Sequence, residues 1–499
     1  MSDFSEKKKE PPAVGYDGNQ PAPTRSQDSE LLEEGRKSSD GVDEREEKTP
    51  ASSSLNGKNT NRGRSRLDWF YGLLPYNIAA GPLGTFVQLY ILQLYGADLG
   101  KIYVGLVITA FNAVTIPASM IWGFATDRIH RRKPVVALSF IAIAVNIVAF
   151  LFANNLFAIG LLYSLFSLLS AASVTPLNLL IMETSTKSKW ASAFARFSMF
   201  SSIGVTVGLL LSLFWVALLP LQWLVIPLAI LSVVSGLLAF VLIQEPNFVF
   251  EREVMVMHKK SFHTRLHGLP LIFLHLPRGS DFRRVFKGLR FELTSYTPIL
   301  YVSVFAFNLG SSIFNTSLIP SMYANSFPQS QVFLMIFITL VVQIFSFHYV
   351  APYIEKRPLI RTAVGSLVIR ALCYSLLGVF AFLFTGLEYT APILVLYPIS
   401  SGFAYAVYYT VSNTLVFNAL GQSGHRSPGS SLGVYSALVG VATMIGSLVS
   451  GFISFYTDFY FTFTVAGFCI AGSALFTALL ERIGSKQEKK KGEEITTSA

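Results

Sequence analysis

Twelve predominantly apolar runs, each about twenty residues or longer, recur between residues 68 and 480. A run of that length with few charges crosses the ~30 Å hydrocarbon core of a bilayer as an α-helix and has little else to do. The runs are continuously apolar rather than alternating, which favours helices over a barrel. They fall at 68–95, 101–126, 134–152, 156–183, 190–218, 221–243, 296–323, 330–353, 361–384, 391–417, 430–454 and 459–480. On one side of the membrane the joins are short: Gly96–Gly100, Ala153–Asn155, Thr385–Thr390 and Tyr456–Asp458. Only the join at 244–293 is long. The expected fold is therefore all-α: a polytopic membrane protein of twelve transmembrane helices in two pseudo-symmetric six-helix bundles, 67–243 and 294–482. Residues 1–66 form an N-terminal tail, 244–293 a linker and 483–499 a C-terminal tail.

Charge gives the orientation. Only 14% of residues are charged, against ~25% in a soluble domain, and the net charge is +10. A basic balance can indicate nucleic acid, but here Lys and Arg lie in the tails and in alternate loops, with Lys101 alone on the far side. That is the positive-inside pattern; it puts both termini in the cytoplasm and excludes a nucleic-acid partner. An integral protein of the plasma membrane is the default location. Residues 1–66 are rich in Ser, Glu, Lys and Pro and too poor in large apolar residues to order themselves. Cys373 and Cys469 both lie inside apolar runs and imply no disulfide framework. In the linker, Phe282, Val285, Phe286 and Leu289 recur at helical spacing among cations, as in a helix lying against the membrane surface. His263 and His267 stand one turn apart, with no Cys nearby to complete a metal site.

The two halves read as diverged repeats. Asn77 and Thr85 in span one match Asn308 and Thr316 in span seven at the same spacing. Thr175 and Asn178 in span four match Thr410 and Asn413 in span ten. Phe197, Ser198 and Gly208 in span five match Tyr435, Ser436 and Gly446 in span eleven.

Between spans two and three runs Gly123-Phe124-Ala125-Thr126-Asp127-Arg128-Ile129-His130-Arg131-Arg132-Lys133. This resembles the corresponding loop of major facilitator superfamily transporters, usually written G-x-x-x-D-R-x-G-R-R, with His130 in place of the second glycine. Glu245-Pro246 after span six, Pro176 in span four and Arg196, Gly204 and Gly208 in span five fit the same resemblance. It implies secondary transport by alternating access, with Gly123, Asp127, Arg128, Arg131 and Arg132 as a gating motif. In the family the acid helps lock the two halves together; Asp127 would do so at the start of span eleven, after Ser427-Pro428-Gly429-Ser430, where free N–H groups stabilise a carboxylate. The second-half loop, Pro352 to Pro358, keeps the cations but not the Gly or Asp. Span four has no embedded Arg, and span five lacks the Gly-Pro and Gly-Gly pairs of drug–proton antiporters; both departures argue against that activity.

The resemblance also implies a central cavity lined by spans one, four, seven and ten. Those spans carry Asn77, Gln88, Asn178, Asn308, Asn315, Tyr405, Tyr409 and Asn413. An unpaired buried amide costs roughly 1–3 kcal/mol, so each bonds either a ligand or a neighbouring helix. Gly81-Pro82-Leu83-Gly84 either breaks span one or packs it closely against a neighbour. Arg370 lies roughly nine residues into its run, about 13 Å along the helix axis, where an ionisable group either binds an anion or snorkels outward. No Asp or Glu falls in the middle of a run, so neither proton coupling nor a cationic substrate is supported. There is no nucleophile elbow, zinc-protease motif or phosphate-binding Gly-rich loop, so no enzyme, cofactor or metal is expected. The expected function is transport of a small polar or anionic organic solute by a monomer that contacts membrane lipid and its substrate. A non-transporting receptor or scaffold on the same fold is the alternative.

Overall fold

The computed structural model describes residues 72–128, 133–184, 190–243, 296–354, 357–422 and 428–497. Every element among these residues is helical. Spans one and two form one helical run, Leu74–Arg128, interrupted only at Gly96. Span three is Lys133–Ala149, span four Leu156–Thr184, span five Trp190–Leu218 and span six Val225–Leu242. Span seven is Tyr296–Ala324, span eight Gln329–Ile354 and span nine Leu359–Leu383. Span ten is built in three pieces, Thr390–Tyr397, Pro398–Ala404 and Tyr405–Gln422, of which the middle one is a π-helix. Span eleven is Pro428–Tyr456, and span twelve continues helical from Phe459 to Thr497. The tail expected to lack order, the linker expected to carry an amphipathic helix together with His263 and His267, and the loop carrying Arg131 and Arg132 lie outside the described residues.

One turn differs from expectation. In place of a loop over Gly96–Gly100 there is a single non-helical residue, Gly96, at φ 74 and ψ 178. A residue with a Cβ resists that dihedral pair, whereas glycine adopts it freely. Helical dihedrals resume at once, with Asp98 in the first turn of span two, where a carboxylate meets the positive end of the helix dipole.

The halves pack by the same plan. Span one packs on span five and span seven on span eleven, while span three packs on span six and span nine on span twelve. The repeated glycines explain part of this. A Cβ on Gly446 would lie 2.6 Å from the Leu309 carbonyl oxygen of span seven, and one on Gly208 would strike the Ile78 carbonyl of span one. Gly81 likewise lies against Val205 of span five, so the Gly81–Gly84 stretch serves close packing and span one runs through it unbroken. Hydroxyls hold the apolar seams together: Ser303 bonds Thr477 at 2.6 Å, and Ser232 bonds the Phe140 carbonyl at 2.9 Å. Large side chains such as Leu138, Val145, Phe152, Phe157 and Leu161 point outward and are exposed, as suits a protein solvated by lipid.

The halves meet along two seams, span two against span eleven and span five against span eight. On the first, Gly105 and Gly451 face each other so closely that a Cβ on Gly105 would lie 2.7 Å from the Gly451 Cα. Lys101 lies over the Phe459 ring at 4.7 Å at the same end. This end, opposite the Gly123–Lys133 loop, is called the Lys101 end below.

Candidate functional site

Between the halves lies a cavity of about 530 Å³. Its first-half wall is Gly84, Thr85 and Gln88 of span one, Phe111 and Asn112 of span two and Tyr163 of span four. The second-half wall takes Phe307, Asn308, Ser311 and Asn315 from span seven and Gln343 from span eight. Arg370 of span nine and Tyr397, Ser401 and Tyr405 of span ten complete it. Asn315 is exposed although it lines the cavity, so water reaches the space. Among the described residues lining the cavity there is no Asp, Glu, His or Lys; Arg370 is its only full charge.

Arg370 is 2% exposed. Its Nη2 donates to the Tyr374 hydroxyl at 2.6 Å, one turn along span nine. That tyrosine is fixed by stacking on Phe314, with ring centroids 3.8 Å apart, and its hydroxyl lies 3.3 Å from Ser401 Oγ. The guanidinium carbon lies 5.0 Å from the centre of the Phe307 ring, 5.1 Å from Tyr374 and 5.3 Å from Tyr405. These rings offer the cation their negative faces, worth roughly 0.5–2 kcal/mol each depending on desolvation. Among the described residues nothing else neutralises it: Nε and Nη1 are buried and have no hydrogen-bond partner, and no carboxylate pairs with it. An arginine stays protonated in proteins, so the site holds a fixed, desolvated positive charge with free donors.

The π-turn of span ten helps to build this pocket. Pro398 removes a backbone donor and the helix widens over Pro398–Ala404, between Tyr397 and Tyr405, both of which face the cavity. Ser401 lies within the turn.

Two amides face both the cavity and the seams. Asn112 Nδ2 lies 3.4 Å from Ser447 Oγ of span eleven, and Gln343 Nε2 lies 3.4 Å from Ser202 Oγ of span five. Both are at the long end of hydrogen bonding. Asn112 and Gln343 have the same separation in the chain as Asn77 and Asn308, so they are twofold counterparts. Thr109 adds a second contact to Ser447, at 3.1 Å.

Of the residues expected in the cavity, Gln88, Asn308, Asn315, Tyr405 and Arg370 line it. Asn77 is engaged elsewhere: its amide donates to the Leu73 carbonyl and its oxygen accepts from Ser201 of span five. Asn308 makes the equivalent bond to the Val304 carbonyl at 2.8 Å. Tyr409 stacks on Tyr405 at 5.5 Å, and Asn413 lies about two turns further along span ten; neither is among the lining residues. The side chains of Asn178, Gly123, Asp127 and Arg128 are outside the described set. Asn112, Tyr163 and Gln343 line the cavity without having been singled out from the sequence. The signal was present, since each is a polar side chain within an apolar run. Attention confined to spans one, four, seven and ten passes over Asn112 and Gln343.

The sequence matches the family model of the Major Facilitator Superfamily over residues 76–425. Among solved structures, the chain is similar to the human organic anion transporter MFSD10 (TETRAN), with a TM-score of 0.58 and 18% identity. The likeness covers 83% of this chain and 98% of that one. Likeness at that identity shows a shared fold and no more. A search of curated protein sequences returns no match.

Proposed function

The chain belongs to the major facilitator superfamily of membrane transporters, and on that premise we propose that it carries a small organic anion by alternating access about the central cavity. The observation that carries this reading is Arg370: a buried cation on the cavity wall, with two nitrogens unpartnered and no carboxylate among the described residues to neutralise it. A charge in that position is costly to the fold, by several kcal/mol even after relaxation. An anionic ligand recovers part of that cost, while a cation would add to it. Neutral polar solutes can use the amides but leave the charge unmatched. The name of the similar structure, an organic anion transporter, is in keeping with the proposal, which rests on Arg370 and not on that likeness. The distribution of Lys and Arg supports cytoplasmic termini, and the resemblance of the Gly123–Lys133 loop to the family motif supports a gating contact of Asp127 with the start of span eleven.

The test is a thermal-shift panel on the purified protein in detergent, with organic anions, neutral sugars, amino acids and organic cations, repeated on Arg370→Gln. A ligand at 100 times its dissociation constant adds about 2.7 kcal/mol of stability. The expected result is stabilisation by organic anions that is lost in Arg370→Gln. Stabilisation by neutral solutes that persists in the variant would make Arg370 structural. Stabilisation by cations alone would overturn the reading.

A further inference from the structure

Arg370 is not the only cavity residue with polar atoms left over. Across the cavity, on the first-half wall, Gln88 Oε1 is buried and has no partner. The hydroxyl of Ser311, on the second-half wall, is also buried and unpartnered. The cavity thus has an unused acceptor on one half and unused donors, one of them cationic, on the other. A simple anion satisfies Arg370 and strands Gln88. A neutral solute with a hydroxyl does the reverse.

The cavity wall that carries these poles also carries rings, set among amides and hydroxyls. Phe111 and Tyr163 stack with centroids 4.4 Å apart on the first half, and Phe307 faces Tyr405 on the second. Building on the anion-carrier reading, we propose that the cavity takes a two-ended organic monoanion. Its carboxylate binds Arg370 with help from the Ser311 hydroxyl. Its middle is apolar and ring-sized. Its far end carries a neutral donor, a hydroxyl or N–H, that hydrogen-bonds Gln88 Oε1. A zwitterion is disfavoured because no acid among the described residues of that wall balances an ammonium. A site built to bond a hydroxyl discriminates sharply against the analogue without it, since the site's own polar atom is then left unpaired. The two poles belong to different halves, so only a two-ended ligand ties both walls together.

Matched probes test this on the full-length protein in detergent: benzoate, phenylacetate and phenylpropionate, their para-hydroxy derivatives, and the neutral amide of each acid. Dissociation constants give two ratios, hydroxylated over plain and acid over amide. At one or more of the three lengths the hydroxylated acid should bind at least about tenfold tighter, equivalent to about 1.4 kcal/mol. In Gln88→Leu that hydroxyl advantage falls to about one; in Arg370→Gln the acid advantage does. Gln88→Met, closer to glutamine in shape, repeats the first arm if the leucine variant does not fold. An absent hydroxyl advantage in the wild type, or one that survives both Gln88 variants, overturns the two-ended ligand and leaves the anion reading standing. An absent acid advantage in the wild type overturns both.

Discussion

The guanidinium of Arg370 is held by one tyrosine hydroxyl and three rings, and that arrangement is better suited to a passing ligand than to the empty protein. A buried cation with unpartnered donors costs the fold more than an apolar side chain of similar length would. Arg370→Met should therefore raise the unliganded melting temperature, by about 2–4 °C for each kcal/mol recovered, while abolishing stabilisation by anions. A drop on scanning calorimetry would instead mean that the ring contacts outweigh the desolvation cost and that the residue is chiefly structural. The importance of Arg370 was legible in the sequence, because an arginine deep in an apolar run stands out. Tyr374, one turn along the same span, was within reach of helical spacing; the rest of the arginine's environment was not, because Phe307 and Tyr405 come from two other spans and nothing in linear spacing brings them to it. Asn77 shows the converse. Its place in span one, matched by Asn308, marked it for the cavity, yet an asparagine in a helix can also satisfy itself on its own backbone and on a neighbouring serine, as this one does.

At the scale of elements, helices were the legible part, because about twenty apolar residues in lipid admit little besides an α-helix. The tight turn at Gly96 was not, since Asp98 and Gly100 look like loop residues until the helix is seen to resume around them. Nor was the π-turn of span ten, where Pro398 alone does not reveal how far the widened stretch extends. The glycine matches between spans five and eleven were visible as a repeat and have a common cause: each lets its helix settle against a carbonyl of the first span of its half. The Gly105–Gly451 contact works instead between the halves. Gly451→Val should keep the two halves apart at the Lys101 end without disturbing either half's own packing. Uptake into proteoliposomes should fall at least tenfold, while a cysteine placed at residue 102 becomes more reactive to a membrane-impermeant maleimide. Unchanged uptake and reactivity would show that the halves do not need this contact.

At the scale of the whole molecule, the two-half plan and its repeats could be read along the chain, whereas the cavity could not, because it is formed by residues from both halves. Span two extends from the Gly105 contact at one end to Asp127 at the other, so if Asp127 gates as proposed, span two links closure at the two ends. Asp127→Asn should slow anion uptake severalfold while leaving the binding of the same anion to detergent-solubilised protein within about twofold, a difference of roughly 0.4 kcal/mol. Equal uptake by the two proteins would remove Asp127 from the gate. The lack of any acid among the described residues of the cavity wall, noted above as a matter of site chemistry, also has an electrical meaning. If the cargo is the monoanion proposed above, the occupied cavity is neutral and the membrane potential has little purchase on its movement. Once the cargo leaves, the same cavity holds one uncancelled positive charge, and a charge that crosses the full field exchanges about 2.3 kcal/mol per 100 mV. On that reading voltage would act on the return of the vacant carrier and not on the loaded step, and the membrane itself would favour one direction of each cycle.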